Sequence, residues 1–256
     1  MNTRVVLITG ADNGIGHAMT HTLLTDGYRV AALDLSTENL EASRPAHPDP
    51  LSLHVCDVSD GRQVRAAVEA VIQKWGRIDI VVNNAALAIF KGFQERTLEE
   101  TRREFEINYF GYVNVTAAVL PYMKARGGII HNMSSGVGIT GFSRLAGYTS
   151  TKGAIESLTR TLAIELAHYR IHVNLMHPPL TNTRSASPLG IPARALADPS
   201  LVGRNQAKKI ESTKPVITPD LQTGFYLFFA YRYPLFFGKL FSRLAERARH
   251  SRQTGL

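Results

Sequence analysis

The stretch VVLITGADNGIG, residues 5–16, joins a short apolar run to a loop that contains three glycines. The first four residues are apolar and mostly β-branched, which is typical of a buried parallel strand. Gly10, Gly14 and Gly16 follow with the spacing GxxxGxG and lead into a helical pattern. Glycines let a loop turn tightly and approach a ligand, and the free N–H groups at a helix start attract phosphate. The stretch therefore predicts a nucleotide-binding turn between a strand and a helix.

Strand and helix patterns alternate outward from this stretch as far as residue 175. Short apolar runs predict further strands near residues 28–33, 51–55, 78–82, 128–133 and 171–175. Apolar residues at helical spacing predict helices near residues 16–26, 64–72, 97–124 (one or two helices) and 154–166. This alternation predicts an α/β fold, a Rossmann-type doubly wound parallel sheet in a single domain.

Asp34 ends the second predicted strand, 18 residues after the last glycine of the loop. A carboxylate at this place accepts hydrogen bonds from the adenosine ribose of a dinucleotide and repels a 2′-phosphate. Because no Arg or Lys lies at residues 12–15 or 35–37, the sequence favours NAD over NADP. The other interpretation is a solvated turn aspartate. Asp57 and Val58 follow the third strand, where they either meet the adenine or cap a helix.

Two later segments carry polar groups that suit a cofactor and catalysis. Asn83-Asn84-Ala85 follows the fourth predicted strand, where small residues and amides suit a cofactor crevice, although a plain turn has the same composition. Tyr148 and Lys152 are four residues apart, which places both on one face of a helix. An ammonium group stabilises a nearby phenolate, so the pair predicts a tyrosine with a lowered pKa. Taken alone, such a pair also occurs by chance on helix surfaces.

Together these segments make residues 3–184 similar to the classical short-chain dehydrogenase/reductase family. The family's catalytic serine lies 13 residues before its tyrosine, as Ser135 does here, and its catalytic asparagine lies 27 residues before that serine, as Asn108 does. The residues that carry the resemblance are Thr9, Gly10, Gly14, Ile15, Gly16, Asp34, Asp57, Asn83, Asn84, Ala85, Asn108, Ser134, Ser135, Tyr148 and Lys152.

The resemblance implies a role for each catalytic position. Tyr148 would exchange a proton with the substrate oxygen, and Ser135 would orient that oxygen by a hydrogen bond. Lys152 would hold the nicotinamide ribose and depress the pKa of Tyr148, while Asn108 would anchor a water that links Lys152 to solvent. Hydride would pass between the substrate carbon and the cofactor. The implied cofactor-binding residues are Gly10, Asp12, Asn13, Gly14, Ile15, Gly16, Asp34, Leu35, Asp57, Val58, Asn83, Asn84, Ala85, Tyr148, Lys152, Pro178, Thr181 and Thr183.

Two segments depart from the family pattern. Ala86 replaces the glycine that usually ends the segment after the fourth strand, which adds a methyl group beside the cofactor. Pro178-Pro179 replaces the usual Pro-Gly after the sixth strand. Because proline fixes φ near about −65° and glycine permits positive φ, we expect this loop to take a different path. Thr183, with Thr181 near it, still falls where the family binds the cofactor's carboxamide, and His177 is predicted to be structural or substrate-lining.

Composition constrains the other function classes. The chain has 256 residues and a net charge of +8, but residues 191–256 carry +7 and residues 1–190 only +1. Since no recognition motif accompanies the basic segment, we predict no nucleic-acid partner. The nine histidines show no metal-binding pattern and Cys56 is the only cysteine, so we predict no metal site. The single cysteine and the lack of a signal or membrane-spanning segment indicate a cytoplasmic location.

The last quarter of the chain lacks the Asp-Gly-Gly segment that usually closes the family's fold. Residues 181–220 read as a loop region with a short helix near 200–211, and we assign residues 191–221 as the segment that closes over the substrate. Residues 222–256 form an atypical basic helical extension, in which nine aromatic residues fall between 225 and 241. Its amphipathic pattern suits peripheral contact with an anionic membrane, and the alternative is docking on its own domain or on a partner subunit.

These observations predict an NAD-dependent oxidoreductase whose residues 1–190 form the NAD-binding catalytic domain. Phe90, Phe93, Phe142 and the aromatic extension predict a hydrophobic substrate that is a secondary alcohol or a ketone. The resemblance further implies a homodimer or homotetramer. The alternative is a catalytically silent nucleotide-binding sensor or scaffold of the same fold, which the four intact catalytic positions disfavour.

Overall fold

A sheet of seven parallel strands forms the centre of the computed structural model, which describes residues 4–42, 50–189, 191, 194 and 196–253. The strands are β1 (Val5–Thr9), β2 (Arg29–Asp34), β3 (Leu51–Val55), β4 (Ile80–Asn83), β5 (Gly128–Met133), β6 (Ile171–Met176) and β7 (Val216–Ile217). The helices are α1 (Gly14–Thr25), α2 (Glu38–Ala42), α3 (Gly61–Trp75), α4 (Leu98–Phe105), α5 (Gly111–Met123), α6 (Val137–Thr140), α7 (Ala146–Glu165), α8 (Pro199–Ala207), α9 (Leu221–Arg232) and α10 (Pro234–Gln253). The strand order is β3-β2-β1-β4-β5-β6-β7, and helices cover both faces, so the predicted doubly wound α/β fold is confirmed.

The central strands are buried on both faces because their residues are almost continuously apolar. In β1, Val5 and Leu7 pack with α3 and α5 on one side of the sheet, whereas Val6 and Ile8 pack with α1 on the other. All four side chains are fully buried. Since successive side chains of a strand point to opposite faces, this short run contributes to two separate apolar cores.

The strand order reverses between β1 and β4, which opens a crevice at the carboxyl ends of these two strands. Asn84, just after β4, donates from Nδ2 to the carbonyl oxygens of Thr9 (3.0 Å) and Gly10 (2.9 Å). Gly10 has a φ of +62°, and a β-carbon there would lie 2.8 Å from the Cα of Ala85. Glycine is therefore required where the two segments meet.

The structure agrees with the helices predicted over residues 97–124 and contains one strand that the sequence analysis did not predict. Residues 97–124 form α4 and α5, which a π-helical turn (Glu106–Phe110) joins without a break. Residues 181–220 contain α8, as predicted, but also β7, which pairs in parallel with β6 through Leu175 and Val216. β7 escaped prediction because it has two residues and lies between two prolines, where no periodic pattern can develop.

The C-terminal extension forms two helices, α9 and α10, which we call the hairpin. Tyr231 in α9 donates from Oη to Glu156 Oε2 of α7 at 2.7 Å. A β-carbon on Gly238 would lie 2.3 Å from the carbonyl oxygen of Thr140, so α10 rests directly on α6. The hairpin thus packs on its own domain, while residues 254–256 of the predicted extension lie outside the described residues. None of the described helices combines the length and the apolar character that crossing a membrane requires.

A buried ion pair holds the loop between β4 and α4 over the crevice. Arg96 Nη1 lies 2.6 Å from Glu104 Oε2, and both side chains are almost inaccessible to solvent. Glu104 also accepts a hydrogen bond from the Ile89 N–H (2.8 Å), and Arg96 donates to the Ile89 carbonyl oxygen (3.1 Å). Burial raises the pKa of Glu104, and the bond from Ile89 and the charge of Arg96 oppose that rise.

Replacing Arg96 with Met should leave the Glu104 carboxyl buried without its cation, which typically costs about 3–5 kcal/mol of unfolding free energy. The pKa of Glu104 rises further in the variant, so the folded state gains a proton more readily than the unfolded state and the loss shrinks as pH falls. Urea denaturation at several pH values measures both effects. The matched control Arg102→Met removes an exposed pair with Glu99 (3.8 Å) and should cost less than about 1 kcal/mol. Equal losses in the two variants would contradict the assigned role.

Candidate active site

Two adjoining cavities open at the carboxyl edge of the sheet. The larger has a volume of about 410 Å³ and the smaller a volume of about 140 Å³. Five residues border both: Ile15, Ala86, Tyr148, Pro178 and Thr183. A ligand in one cavity therefore meets a ligand in the other at these residues, among which Tyr148 is the only ionisable one.

The larger cavity brings together most of the residues that the sequence assigns to the cofactor. They come from the segments that follow β1, β2, β3, β4 and β6 and from α7, because parallel strands all end at the same edge of the sheet. They are Gly10, Asn13, Gly14, Ile15, Asp34, Leu35, Asp57, Val58, Asn84, Ala85, Tyr148, Lys152, Pro178 and Thr183.

The start of α1 borders this cavity with N–H groups that no side chain caps. Asn13, its N-cap residue, makes no side-chain hydrogen bond to the helix. By contrast, Asp60, Asp198 and Asp220 each cap the helix that follows them. Uncapped N–H groups and the positive end of the helix dipole suit a phosphate, so this part of the cavity fits the pyrophosphate of a dinucleotide.

Two side chains that the sequence assigns to the cofactor make hydrogen bonds within the protein. The carboxylate of Asp12 accepts a hydrogen bond from the Leu40 N–H at 2.8 Å and so anchors α2. The amide of Asn83 donates to Asn132 Oδ1 at 2.8 Å, which links β4 to β5. Neither residue borders the larger cavity, and both side chains support the surrounding loops, so their contact with a cofactor stays a prediction.

Gly16 and Thr181 also lie outside the lining of the larger cavity. A β-carbon on Gly16 would lie 2.1 Å from the Gly10 carbonyl oxygen, so this glycine keeps the turn tight and does not itself border the cavity. Thr181 donates from Oγ1 to the Pro179 carbonyl oxygen at 2.7 Å and borders the smaller cavity. The path after Pro178 nevertheless returns to the glycine loop, since Thr183 borders both cavities.

Charged groups of both signs line the larger cavity. Asp34 Oδ2 accepts a hydrogen bond from the Asp12 N–H (2.8 Å) and Oδ1 accepts one from the Leu35 N–H (2.7 Å), which fixes the carboxylate's orientation. Arg103 and Arg184 also line the cavity, although sequence analysis did not assign them. Arg184 adjoins the predicted carboxamide-binding loop, which could have revealed it, whereas Arg103 lies in α4, where no motif marks it.

Lys152 is buried in the wall of the larger cavity. Its Nζ donates to the Met133 carbonyl oxygen at 2.8 Å and to Tyr112 Oη at 3.3 Å. Burial lowers the pKa of Lys152 to about 7, so the amine exchanges its proton readily near neutral pH. Tyr112 is fully buried and was not anticipated, although it follows Asn108 by four residues in the sequence and helical spacing could have indicated it.

Burial raises the pKa of Tyr148 to about 12, while the hydrogen bond with Ser135 acts in the opposite direction and the charge of Glu104 adds to the rise. The sequence predicts a lowered pKa, and the structure gives the opposite direction. The reason is that Lys152 Nζ lies 5.5 Å from the centre of the Tyr148 ring and directs its hydrogen bonds elsewhere. In this arrangement the Tyr148 phenol is neutral at pH 7.

Asn108 lies in the π-helical turn between α4 and α5, and its side-chain amide makes three hydrogen bonds. Oδ1 accepts from the Leu87 N–H at 2.7 Å, and Nδ2 donates to the Leu87 carbonyl oxygen at 2.8 Å and to Thr151 Oγ1 at 3.0 Å. Asn108 therefore ties the segment after β4 to α7 beside Lys152. The water that the family resemblance assigns to Asn108 stays a prediction.

A buried polar cluster that the sequence did not reveal lies one helical turn beyond Lys152. Glu156 accepts a hydrogen bond from Ser134 Oγ at 3.2 Å, and His177 Nε2 lies 3.5 Å from the same carboxylate. Burial and the charge of Lys152 lower the pKa of His177 to about 4, so this contact is not an ion pair at neutral pH. His177 is fully buried and borders neither cavity, which favours its structural interpretation. The described residues contain no group of three or more His, Cys, Asp or Glu that could hold a metal ion.

Apolar side chains form most of the smaller cavity around Ser135 and Tyr148. They are Ile15, Ala86, Ala88, Phe90, Val137, Phe142, Leu145, Pro178, Pro179, Leu180, Ala186 and Leu189. Phe90 and Phe142 thus lie where the sequence expects substrate-lining residues, whereas Phe93 is 81% exposed and does not border the cavity. The described aromatic residues of the hairpin also line neither cavity, which corrects that part of the prediction.

The described residues that line the smaller cavity all lie before residue 191. Leu180, Ala186 and Leu189 border it, whereas the described part of residues 191–221 does not. Within that segment, α8 packs on α1 instead, since a β-carbon on Gly203 would lie 2.6 Å from the Ala18 side chain. The chain just after β6 therefore covers the cavity.

Residues 4–191 match the family model described as short chain dehydrogenase. A similar protein is the 3-oxoacyl-[acyl-carrier-protein] reductase FabG of Thermotoga maritima. It is 38% identical over 201 residues, which cover 76% of this chain and 80% of that protein.

Two solved structures resemble the fold. A short-chain dehydrogenase from Streptomyces avermitilis has a TM-score of 0.80 at 28% identity and covers 99% of this chain and 99% of its own. The 3-ketoacyl-(acyl-carrier-protein) reductase from Brucella melitensis, solved in complex with NADH, has a TM-score of 0.75 at 29% identity. It covers 84% of this chain and 94% of its own.

Replacing Lys152 with Met should raise the free energy of unfolding by a few kcal/mol, since one pKa unit corresponds to about 1.4 kcal/mol. The wild-type protein buries an amine whose pKa falls from 10.5 to about 7. The gain should be largest below pH 7, where the amine is protonated in both states, and should shrink as pH rises toward 10.5. Denaturant unfolding at pH values across this range measures the gain in unfolding free energy, and Lys208→Met, at an exposed lysine, is the control. A gain that does not vary with pH would contradict the lowered pKa.

Proposed function

Because the chain belongs to the short-chain dehydrogenase family, we propose that it is an NAD-dependent oxidoreductase that interconverts a hydrophobic secondary alcohol and its ketone. The observation that carries the proposal is the position of Tyr148, which borders both the cavity suited to a dinucleotide and the apolar cavity beside it. When bound, the nicotinamide cofactor supplies or accepts the hydride.

Tyr148 exchanges a proton with the substrate oxygen in the proposed reaction. Its neutral phenol donates the proton when a carbonyl is reduced, and its phenolate accepts one when an alcohol is oxidised. Ser135, which hydrogen-bonds Tyr148 and borders the same cavity, orients the substrate oxygen. Lys152, whose pKa is about 7, passes protons between Tyr148 and solvent. Asn108 keeps the segment after β4 and α7 in position for this exchange.

The preference for NAD rests on Asp34 and its neighbour. The Asp34 carboxylate lines the larger cavity with its oxygens oriented by backbone N–H groups, and Leu35 beside it is apolar and 66% exposed. A ribose diol can donate hydrogen bonds to such a carboxylate, whereas a 2′-phosphate would be repelled. Arg103 and Arg184 are the residues that would balance the negative charge of the pyrophosphate in the same cavity.

The hydrophobic substrate rests on the composition of the smaller cavity. Its polar lining residues are Ser135, Tyr148, Thr181 and Thr183, and aromatic, aliphatic and proline side chains form the rest of the wall. Binding of an apolar body is favoured by the area that it removes from water, while the hydroxyls hold one oxygen. The volume of about 140 Å³ suits a compact ring or short branch next to the reacting carbon.

Two further expectations follow the family resemblance. We infer that the enzyme forms a homodimer or homotetramer and works in the reducing cytoplasm, where the buried thiol of Cys56 needs no partner. The alternative function is a nucleotide-binding sensor or scaffold without turnover. Such a protein would bind a nucleotide in the larger cavity, and Tyr148 and Ser135 would take part in no reaction.

The proposed role of Tyr148 predicts that Tyr148→Phe lowers kcat by about 10²–10⁴-fold, the usual contribution of a general acid or base. Binding of NADH, measured by its fluorescence, should change by less than about threefold, because one neutral hydrogen bond contributes little. The matched control Tyr122→Phe removes a hydroxyl from a partly exposed ring of α5 and should leave both quantities unchanged. If the wild-type protein binds NADH but converts no compound of a broad alcohol and ketone panel, the sensor or scaffold is favoured.

The proposed role of Asp34 predicts that the double variant Asp34→Ser, Leu35→Arg shifts the ratio of kcat/KM for NADP over NAD upward by about 100-fold. The change removes a carboxylate that repels the 2′-phosphate and adds a guanidinium that can bind it. Together the two effects should favour NADP over NAD by about 2–3 kcal/mol of binding free energy. Steady-state kinetics with both cofactors measures the ratio. The control Glu69→Gln removes an exposed carboxylate on α3 and should not alter it. An unchanged ratio in the double variant would show that Asp34 does not select the cofactor.

A further inference from the structure

The hairpin exposes an unusual amount of apolar surface. Of the twenty large apolar side chains that are exposed in the described part of the chain, ten lie within residues 221–244. Scattered exposed apolar residues are ordinary, but a contiguous patch on a helix pair is not. The exposure of this apolar patch therefore requires an explanation of its own.

These side chains lie opposite the face by which each helix packs on the domain. In α9, Thr223, Leu227 and Ala230 are buried, and in α10, Gly238 and Ala245 are buried. At 100° per residue the opposite face of α9 carries Leu221, Phe225 and Phe228, and that of α10 carries Phe236 and Leu240, with the exposed Leu244 at its edge. We call these six residues the outer hairpin face. Their exposed fractions run from 40% to 92%.

Contacts between its two helices and with the domain hold the hairpin in a preformed shape. Tyr226 packs edge-on against Phe237 and Phe241, with ring centres 5.6 and 5.5 Å apart. The Ser143 N–H donates to Ser242 Oγ at 2.9 Å. The outer hairpin face is thus displayed by two helices that already have partners on their inner side, so it needs no refolding to meet a ligand.

Basic residues share this outward side. Arg232, Lys239 and Arg243 are exposed beside the six apolar side chains. The sequence has no acidic residue between Asp220 and Glu246, whereas residues 221–256 hold six Lys or Arg. A second copy of the chain placed face to face would oppose these cations to one another, which is unfavourable. An anionic lipid surface offers both an apolar interior for the rings and negative headgroups for the cations.

From these observations, we propose that the outer hairpin face binds anionic lipid bilayers peripherally, with its aromatic and aliphatic side chains in the headgroup region and Arg232, Lys239 and Arg243 against lipid phosphates. The face lies along the outside of a docked hairpin, so the catalytic domain stays in water. Lipid binding of this kind does not depend on the proposed reaction and is measured without turnover.

The test is flotation of the full chain with vesicles of phosphatidylcholine alone and with vesicles that contain about 30 mol% phosphatidylserine. The wild-type protein should float with the anionic vesicles and at least about tenfold less with the neutral ones. Salt at about 0.5 M should release most of it, because the screening length then falls to a few ångströms.

Two double variants separate the apolar and the charged contributions. Phe228→Ser with Phe236→Ser, and Lys239→Gln with Arg243→Gln, should each reduce the bound fraction on anionic vesicles by about tenfold. The matched controls are Phe93→Ser, an exposed phenylalanine outside the hairpin, and Arg62→Gln, an exposed arginine on α3, and both should float like the wild type. Thermal unfolding and NADH binding, checked for every variant, distinguish loss of lipid binding from loss of fold.

Three outcomes would overturn the proposal. They are no flotation of the wild type, flotation that is equal with neutral and anionic vesicles, and folded double variants that float like the wild type. If vesicles are not bound and Phe228→Ser with Phe236→Ser converts an oligomer to a monomer in light scattering, the outer hairpin face is an interface between copies of the chain.

Discussion

The close approach of two chain segments at the reversal of the strand order is the constraint on which the site depends. Asn84 donates to the carbonyl oxygens of Thr9 and Gly10, and the backbone there leaves no room for a β-carbon on Gly10. The same turn forces the start of α1 to present uncapped N–H groups at the larger cavity. A crevice that fits phosphates thus results from backbone packing, and the side chains of later strands only complete its wall.

Burial decides the electrostatics of the reacting groups. It lowers the pKa of Lys152 and raises that of Tyr148, so both groups shift toward their neutral forms. A lysine with a pKa of about 7 can exchange protons near neutrality, and a neutral phenol can donate a hydrogen bond to a carbonyl oxygen. In the proposed reaction, the hydroxyls of Ser135 and Tyr148 stabilise the charge that develops on that oxygen, and the buried Lys152 exchanges the proton that leaves Tyr148.

The sequence sufficed for the features that depend on local pattern. The fold and most of the residues that line the larger cavity were predicted from the glycine loop, the strand alternation and the spacing of Asn108, Ser135, Tyr148 and Lys152. It failed where the outcome depends on tertiary packing. The direction of the Tyr148 pKa follows from burial and from the orientation of Lys152, and the inward use of Asp12 follows from its contact with α2. β7 was too short for any pattern, and the cations of the larger cavity belong to no motif.

The most direct test of the central claim is the rate of NADH oxidation with a series of ketones that share one carbonyl and differ in apolar surface. The smaller cavity predicts that kcat/KM rises as the apolar area beside the carbonyl grows, until the substrate exceeds the cavity, and that polar analogues of equal size react more slowly. Turnover confined to small polar sugars or hydroxy acids would contradict the account of the apolar cavity. Binding of NADH without turnover of any ketone or alcohol would contradict catalysis itself.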